Sequence, residues 1–536
     1  MAHIQLIGLS EAKSPDDKVW KLPYAFPIII RQLQKTRHSF DLLDTHLHKL
    51  TFPELLDKVS ACGARVYGIS AWSHNYALVK RLTEHIRRCH PDALIIVGGI
   101  ISGNDDVLLL KTETDIVCTS AEGEFVLPEL LDCVDRDGEG LAQVAGVSFR
   151  DKGTGEVVRT AKRPIMSLSQ YRQQDMPAYE YFDEQLHEIS RNLATRENQP
   201  IKAFPLLTMR GCPFRCTFCG HLHGQRFLRR TWEQFFDEVD FLVSRYGFTG
   251  FFSTDTNLFL NEREVDEYCR LYRERGMTFL MAAEVRLTFG SEDMFRKLRA
   301  HGVIVIIFGF ESGSQEMLDR MQKGIQIDVA WDIIQASLRA GSIIHGNYIF
   351  GTPGENRRTI GETRDFLVKL SLAIDKQKED FDRQGLLNTS GYGWSVLTLS
   401  PTSRLYQQAR HDGLLPDEDA YLMSLGREEL MRLAEGSSQK IALVQEGGDV
   451  NMSGFTSREA LGHYVKYSLS LVQVRVCIAE FKTSSVGVLL AHCLDTLGHL
   501  ARYLALTCAD TLRGRRGYPA GPAPRTKTRP AHQATA

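Results

Sequence analysis

The sequence predicts an α/β protein with an N-terminal doubly wound parallel sheet, a partial (β/α)6 barrel and a mostly helical C-terminal region. Short apolar segments alternate with amphipathic helical patterns twice along the chain, over 1–135 and again over 201–410. With 536 residues, the chain has room for two or three domains, each with a sizeable core.

The composition is typical of an ordinary globular protein, with 43% hydrophobic and 24% charged residues. A formal net charge of -2 gives no electrostatic reason to expect nucleic acid or an anionic membrane as a partner. The N-terminal residues lack a signal-peptide pattern, and apolar runs such as 303–310 are too short to cross a bilayer. We therefore expect a cytoplasmic protein without nucleic-acid or membrane partners.

The first region, residues 1–135, contains five short apolar segments with strand composition. A helical pattern separates the third from the fourth, at 76–90, and this spacing favours parallel strands. The five predicted strands are HIQLIGL (3–9), SFDLLDT (39–45), ARVYGISAW (64–72), ALIIVGG (93–99) and DIVCTS (115–120).

Residues 136–200 break the alternation. The segment VAGVSFRDKGTGEVVRT (144–160) predicts a hairpin with its turn at 152–155, and a polar stretch of low periodicity follows. We interpret 136–200 as a hairpin and a linker to the second domain.

The alternation resumes in the barrel region, 201–410. Its predicted strands are FPLLTMR (204–210), TGFFST (249–254), TFLMAAEVR (278–286), VIVIIFGFE (303–311), SIIHGNYIFG (342–351) and GWSVLTLS (393–400). Capping boxes are expected at Thr231 with Gln234 and at Asn261 with Glu264, and Ser291 should begin a further helix. Residues 411–512 look helical, and 513–536, with six basic and no acidic residues, look like a disordered basic tail.

Three cysteines, Cys212, Cys216 and Cys219, follow the first barrel strand directly. Active sites form at the carboxyl ends of parallel barrel strands, and three thiolates at C-x3-C-x2-C spacing leave one iron of a four-iron cluster without a protein ligand. A zinc site is the alternative, with His221 or His223 as fourth ligand. A simple electron-transfer cluster would need a fourth nearby cysteine, and none is present. The other eight cysteines are scattered, which argues against a disulfide framework.

The cysteine motif, with the aromatic Phe218 just before its last cysteine, resembles the radical S-adenosylmethionine (SAM) superfamily. The resemblance covers about 203–410. Residues 309–313 (GFESG) are similar to the fourth-strand segment of the family, and 350–355 (FGTPGE) are similar to its fifth-strand turn. Residues 400–406 resemble the segment that closes the sixth strand, although Ser403-Arg404 replaces the usual Gly-Thr.

The resemblance implies a 4Fe-4S cluster on the three cysteines and SAM on its open iron. An external donor of the flavodoxin or ferredoxin type would supply the electron. Thr254 and Asp255 stand where the family commonly has Gly-Gly-Glu, so their contact with the amino group departs from the usual pattern. The residues implied in SAM binding are Phe218, Thr254, Asp255, Arg286, Gly309, Glu311, Ser312 and Gly351.

The N-terminal region resembles the flavodoxin-like, cobalamin-binding domains found in a subgroup of radical SAM proteins. Ser-Ala-Trp follows its third strand, Gly-Gly follows the fourth, and Ala-Glu-Gly-Glu at 121–124 is close to the Gly-Glu-Gly-Glu of that subgroup. Residues 9–30 contain no histidine, so the D-x-H-x-x-G lower ligand is missing, as is usual there. The implied cobalamin-binding residues are Ser70, Trp72, Ser73, Gly98, Gly99, Glu122 and Gly123.

The pairing of the two regions implies a cobalamin-dependent radical SAM methyltransferase. In this subgroup one SAM methylates cobalt, a second yields the hydrogen-abstracting radical, and the acceptor is an unactivated carbon or a phosphinate phosphorus. We expect a small or peptide-like biosynthetic substrate. The alternative is a rearrangement, cyclisation or oxidation with the same cofactors and no methyl transfer. A methylthiotransferase or a non-enzymatic sensor fits less well, since a second cysteine set is missing and SAM-contact segments are present.

Overall fold

The computed structural model describes residues 1–9, 22–23, 25–151, 153–189, 192–193, 201–220, 222, 226–383, 389–415, 417–425, 452–453, 458–479 and 486–512. Three predictions involve residues outside this set. They are the histidine ligands of the zinc alternative, His221 and His223, the turn residue Lys152, and the basic tail 513–536.

The N-terminal unit is a seven-stranded sheet in the order β2-β1-β3-β4-β5-β6-β7. Strands β1 to β5 are parallel, and β6 and β7 are antiparallel. Its elements are β1 (His3–Gly8), α1 (Ala25–Leu33), β2 (Ser39–Asp44), α2 (Phe52–Cys62), β3 (Val66–Ser70), α3 (Tyr76–Cys89), β4 (Leu94–Gly98), α4 (Asp105–Lys111), β5 (Ile116–Cys118), α5 (Gly123–Val134), β6 (Val147–Arg150) and β7 (Val157–Arg159).

Helices cover both faces of this sheet, which confirms the doubly wound prediction. Phe26 of α1 and Leu130 of α5 belong to the apolar core on one face, and Leu55 of α2 and Leu82 of α3 belong to the core on the other. The predicted hairpin is present as β6 and β7, but it extends this sheet through pairing of β5 with β6.

The second unit is a sheet in the order β16-β15-β14-β13-β12-β9-β8. Six strands are parallel, and β8 pairs with β9 in antiparallel fashion. This is the predicted partial (β/α)6 barrel. Its elements, with those that lead into it, are α6 (Leu168–Arg172), α7 (Asp183–Glu188), β8 (Asn192–Leu193), β9 (Ile201–Leu206), β10 (Met209–Arg210), β11 (Leu228–Arg229), α8 (Trp232–Tyr246), β12 (Gly250–Ser253), α9 (Glu262–Glu274), β13 (Leu280–Val285), α10 (Glu292–Ala300), β14 (Val303–Glu311), α11 (Gln315–Arg320), α12 (Ile327–Arg339), β15 (Ile343–Phe350), α13 (Arg357–Arg383) and β16 (Gly393–Val396).

The first barrel strand is shorter than predicted. It ends at Leu206, and Met209–Arg210 instead pair with Leu228–Arg229 as a separate two-stranded ribbon. The carboxylate of Asp255 accepts hydrogen bonds from the backbone N–H groups of Thr208 (2.8 Å) and Met209 (2.9 Å). These amides are therefore unavailable to a neighbouring barrel strand.

The predicted helix caps are mostly present. Thr231 and Gln234 form a complete capping box, and the Ser291 side chain accepts from Met294 N at 3.2 Å. Asn261 accepts from Glu264 N at 3.1 Å, but the Glu264 carboxylate accepts from Leu260 N and pairs with an arginine instead of returning to the cap. The second capping box is thus only half formed.

Helices dominate the described part of the C-terminal region, as predicted. They are α14 (Arg404–His411), α15 (Glu418–Leu425), α16 (Arg458–Ala479) and α17 (Val486–Leu512). Helices α14 and α15 pack on the N-terminal unit through Tyr406 and Leu422. Among the helices that the structure describes, none is both long and apolar enough to cross a membrane.

Candidate functional site

The three clustered cysteines lie on the loop that follows β10, at the carboxyl end of the barrel. Their Sγ atoms, all within the described part of the chain, do not all lie within 4.8 Å of one another. Thiolates around one zinc ion lie about 3.8 Å apart, because a tetrahedral ion holds each sulfur at about 2.3 Å. The three thiols of this structure are therefore not gathered around the position of a single ion.

The thiols influence one another electrostatically. Desolvation by the surrounding protein, followed by the charges of Cys216 and Cys212, raises the pKa of the Cys219 thiol to about 12. The residue nevertheless remains accessible to solvent. A metal cluster relieves such repulsion, since it binds thiolates and neutralises their charge. The donor set therefore fits a 4Fe-4S cluster.

Neighbouring segments hold the cysteine loop in place. Thr217 donates its N–H to the Met321 carbonyl (2.9 Å), and the Thr217 carbonyl accepts from Leu405 N (3.1 Å). The Arg404 guanidinium donates to the Arg215 carbonyl. The Ser-Arg that replaces the usual Gly-Thr of the family thus contacts the loop between the first two cysteines.

Arg286 lies against this loop, directly after β13. Its guanidinium stacks on the Phe214 ring at 3.8 Å, and Nη1 lies 3.8 Å from Cys216 Sγ. Its Nε is buried and has no hydrogen-bond partner among the described residues. A buried donor without a partner suits an anionic ligand group at this point.

Glu311 pairs with a lysine that the sequence interpretation missed. The strand β14 shifts register between Gly309 and Glu311, and Glu311 has a left-handed backbone with φ 60°. Its carboxylate lies 2.7 Å from Lys323 Nζ, and both side chains are buried. Lys323 also lies 5.8 Å from the centre of the Phe218 ring. Nothing in the local sequence distinguishes this lysine from a surface lysine near a helix end.

Gly309 leaves room for that pair. A Cβ atom there would lie 2.7 Å from Glu311 Oε1 and 2.8 Å from Lys323 Nζ. Ser312 is already satisfied, since its Oγ bonds Thr363 Oγ1 (3.0 Å). Its predicted SAM contact would have to compete with this bond.

The turn after β15 is also held internally. Gly351 has φ 90° and donates its N–H to the Glu355 carboxylate. Burial raises the pKa of Glu355 to about 8, although the Gly351 hydrogen bond acts in the opposite direction.

Asp255 and Thr254 have partners that differ from the predicted SAM amino group. Asp255 accepts three hydrogen bonds from Thr208 and Met209, and burial raises its pKa. The Thr254 hydroxyl donates to the Leu206 carbonyl at 2.9 Å. Both residues thus hold the end of β9, and they line the cavity described below.

Glu284 is a second residue that the sequence interpretation missed. It lies on β13, and burial, together with the charges of Asp255 and Glu311, raises its pKa to about 7. The only sequence signal for this residue was its position in the strand segment AAEVR (282–286), where one acidic side chain stands among apolar neighbours.

A cavity of about 520 Å³ lies between the N-terminal unit and the barrel. Its lining is mostly apolar, with residues such as Phe26 and Leu130 from the N-terminal unit, and the barrel contributes Gly220, next to the last cluster cysteine. The predicted cobalamin residues that line it are Ser70, Trp72, Gly98, Gly99 and Gly123.

Gly99 and Trp72 shape one wall of this cavity. Gly99 has φ 90°, and a Cβ there would lie 2.5 Å from the Ala71 carbonyl oxygen, so glycine is required. The Trp72 side chain is 53% exposed although it is aromatic. An exposed indole at the cavity wall suits contact with a large ligand.

Two of the predicted cobalamin residues do not line the cavity. Glu122 instead accepts from Met166 N at 2.6 Å, and burial raises its pKa. Ser73 Oγ is buried without a hydrogen-bond partner among the described residues. The structure therefore brings five of the seven residues together.

Two family models match the chain. The model described as "Radical SAM superfamily" matches residues 206–367, and the model described as "B12 binding domain" matches 22–131. The first match contains the cysteine loop, and the second contains most of the cavity wall contributed by the N-terminal unit.

Curated relatives are distant. An uncharacterized methyltransferase of Pyrococcus horikoshii is 21% identical over 346 residues, which are 64% of this chain and 72% of the relative. A cytidylyl-2-hydroxyethylphosphonate methyltransferase of Streptomyces wedmorensis is 27% identical over 404 residues, covering 70% of this chain and 72% of the relative.

A solved structure has a similar fold. The cobalamin-dependent S-adenosylmethionine radical enzyme OxsB, with aqua-cobalamin bound, superposes with a TM-score of 0.63 at 15% identity. The superposition covers 96% of this chain and 75% of OxsB. At this identity the similarity establishes the fold.

Proposed function

We propose that this chain, which belongs to the radical SAM superfamily and has an N-terminal B12-binding domain, is a cobalamin-dependent methyltransferase. Its acceptor is an unactivated carbon, or a phosphinate phosphorus, of a small or peptide-like molecule. The relatives from Pyrococcus and Streptomyces, both methyltransferases by name, support the reaction type.

One observation carries the proposal. The cavity is lined on one side by Ser70 and Gly98 of the B12-binding domain and on the other by Gly220, the residue after Cys219. A corrinoid in this cavity would therefore lie beside the cluster loop. Such proximity is what a methyl transfer between two cofactor sites requires.

The chain supplies fitting groups for each cofactor. Cys212, Cys216 and Cys219 would hold the cluster, and the buried cations Arg286 and Lys323 suit a carboxylate in their vicinity. When bound, the cluster with SAM supplies one-electron chemistry for hydrogen abstraction, and the corrinoid supplies a transferable methyl group.

Other residues of the site orient the ligands and exclude water. Glu311, held by Lys323 at 2.7 Å, would accept hydrogen bonds from the ribose hydroxyls or the ammonium group of SAM. Phe218, under the same lysine, would pack near the adenine. The apolar lining of the cavity, which includes Phe26 and Leu130, suits the nucleotide tail of a corrinoid that has no histidine ligand.

The test begins with protein that is purified and reconstituted anaerobically. We expect about four irons and one cobalt per chain, as the two cofactors require. Incubation with SAM and a reductant should then yield both 5′-deoxyadenosine and S-adenosylhomocysteine. Iron with 5′-deoxyadenosine but without S-adenosylhomocysteine would favour the alternative, a radical rearrangement, cyclisation or oxidation.

Cysteine variants provide the matched control. The variant C212A/C216A/C219A should lose its iron and form neither product. The variant C62A/C89A/C133A removes three cysteines that lie outside the loop and should retain its iron. Equal iron content in the two variants would contradict the cluster assignment.

A further inference from the structure

An ion pair crosses the boundary between the two units at the cavity wall. Arg210 ends β10, two residues before Cys212, and Glu124 lies in the first turn of α5 in the N-terminal unit. Arg210 Nη1 lies 2.6 Å from Glu124 Oε1, and both residues line the cavity.

This pair is deeply buried but incompletely hydrogen-bonded. Arg210 is 7% exposed and Glu124 is 4% exposed. Arg210 Nη1 and Glu124 Oε1 approach without hydrogen-bond geometry, and neither atom has another hydrogen-bond partner among the described residues. Buried charged groups normally complete their hydrogen bonds, so these atoms have capacity for a ligand.

Another buried Arg–Glu pair, in the barrel, differs from the Arg210–Glu124 pair in its hydrogen bonding. Glu238 accepts from both Arg230 and the Tyr179 hydroxyl, and its side chain is 2% exposed. Neither Arg230 nor Glu238 lines the cavity. A pair of the same type is thus fully bonded where it has no contact with the cavity.

The corrin ring carries neutral amide side chains around its edge. The carbonyl of such an amide accepts from a guanidinium, and its N–H donates to a carboxylate, so an Arg–Glu pair complements it. Most residues that line the cavity are apolar, and the charged residues among them are Arg210, Glu124 and Asp255. An amide of the corrin edge therefore matches the polar part.

We propose that Arg210 and Glu124 bind an amide side chain of the corrin ring and thereby connect occupancy of the cavity to the cluster loop. The inference rests on the proposed function, because it requires a corrinoid in the cavity. Arg210 is only two residues from Cys212, so a ligand that fixes its guanidinium also restrains the start of that loop.

The decisive variant replaces both charges at once, as R210M/E124L. Exchange of a buried ion pair for apolar residues of similar volume is usually neutral or stabilising, so this variant should fold. We expect its Kd for hydroxocobalamin to rise at least about tenfold, because hydrogen bonds to two charged groups are lost. The Kd is measured by visible absorption on the full, cluster-loaded chain.

Two comparisons separate the corrin contact from other effects. The matched variant R230M/E238L removes the fully bonded pair and should keep its Kd within about twofold of the parent. Cobinamide, which keeps the corrin amides but lacks the nucleotide tail, should lose affinity for R210M/E124L by the same factor as cobalamin.

The proposed connection between the bound corrinoid and the cysteine loop is tested separately, by the rate at which the cluster loses iron. Bound hydroxocobalamin should slow the release of iron to a chelator in the parent and in R230M/E238L, but not in R210M/E124L. A folded R210M/E124L variant with the parent's Kd and the parent's protection of iron would overturn the inference. A parent chain that binds no corrinoid would instead overturn the proposed function.

Discussion

Burial of a single carboxyl group in the turn after β15 makes folding depend on pH. Glu355 is 1% exposed, and burial raises its pKa from an ordinary 4.5 to about 8. The folded chain therefore keeps a proton that the unfolded chain has already lost. The stability from this group is complete below pH 4.5 and is lost as the pH rises through about 8.

The variant E355Q tests this dependence, because glutamine resembles the protonated acid and keeps an acceptor for Gly351 N. Between pH 6 and pH 9 the parent should lose about 2.7 kcal/mol of unfolding free energy relative to E355Q. Denaturant titrations of both proteins at the two pH values measure the difference. A constant difference would show that Glu355 is ionised throughout.

Residue roles were the least predictable property of the sequence. The three cysteines and the cavity-lining Gly98 and Gly99 stand in local motifs, so a single sequence is enough to predict roles for them. Lys323 donates a hydrogen bond to Glu311, which lies twelve residues earlier at the end of β14. No sequence motif marks this lysine. Asp255 was predicted to face SAM, but its carboxylate holds Thr208, 47 residues earlier in the chain.

At the scale of elements, periodicity predicted all five parallel strands of the first sheet and the six parallel barrel strands. The placement of the hairpin was less predictable, because pairing of β6 with β5 depends on contacts that local composition does not encode. The early end of β9 has the same cause, since the Asp255 carboxylate takes the backbone amides that a longer strand would use.

Helix α14 begins at the cluster loop, and Arg404 at its start joins three segments. Its guanidinium donates to the Arg215 carbonyl and to Gln322 Oε1, the latter at 2.7 Å. Because the side chain is exposed, R404A should cost only about 1 kcal/mol of unfolding free energy. The loop, however, should become looser and release iron to a chelator several times faster.

The same helix offers a control. Arg410 is also exposed and pairs with Glu418 at 2.7 Å, away from the cysteine loop. R410A should lose similar stability and release iron at the parental rate. Equal release rates in R404A and R410A would show that the Arg404 contact does not restrain the loop.

At the scale of the whole molecule, the two units form one connected body. Helix α15 returns to the N-terminal unit, where Asp419 pairs with Lys80 at 3.1 Å and accepts from the Tyr76 hydroxyl. The shared cavity adds a second junction, with Glu124 from one unit and Arg210 from the other. A ligand in that cavity contacts both units and should stabilise both.

Hydrogen exchange followed by mass spectrometry can detect this effect on the full chain. Hydroxocobalamin at about 100 times its Kd stabilises the folded state by about 2.7 kcal/mol. Backbone amides in 98–130 and in 207–220 should both exchange more slowly, because both segments line the cavity. Peptides from α9, which lies outside the cavity lining, serve as the internal control. Protection confined to 98–130 would mean that the corrinoid contacts the N-terminal unit alone. The two units would then have to move relative to each other to bring the corrinoid beside the cluster loop for methyl transfer.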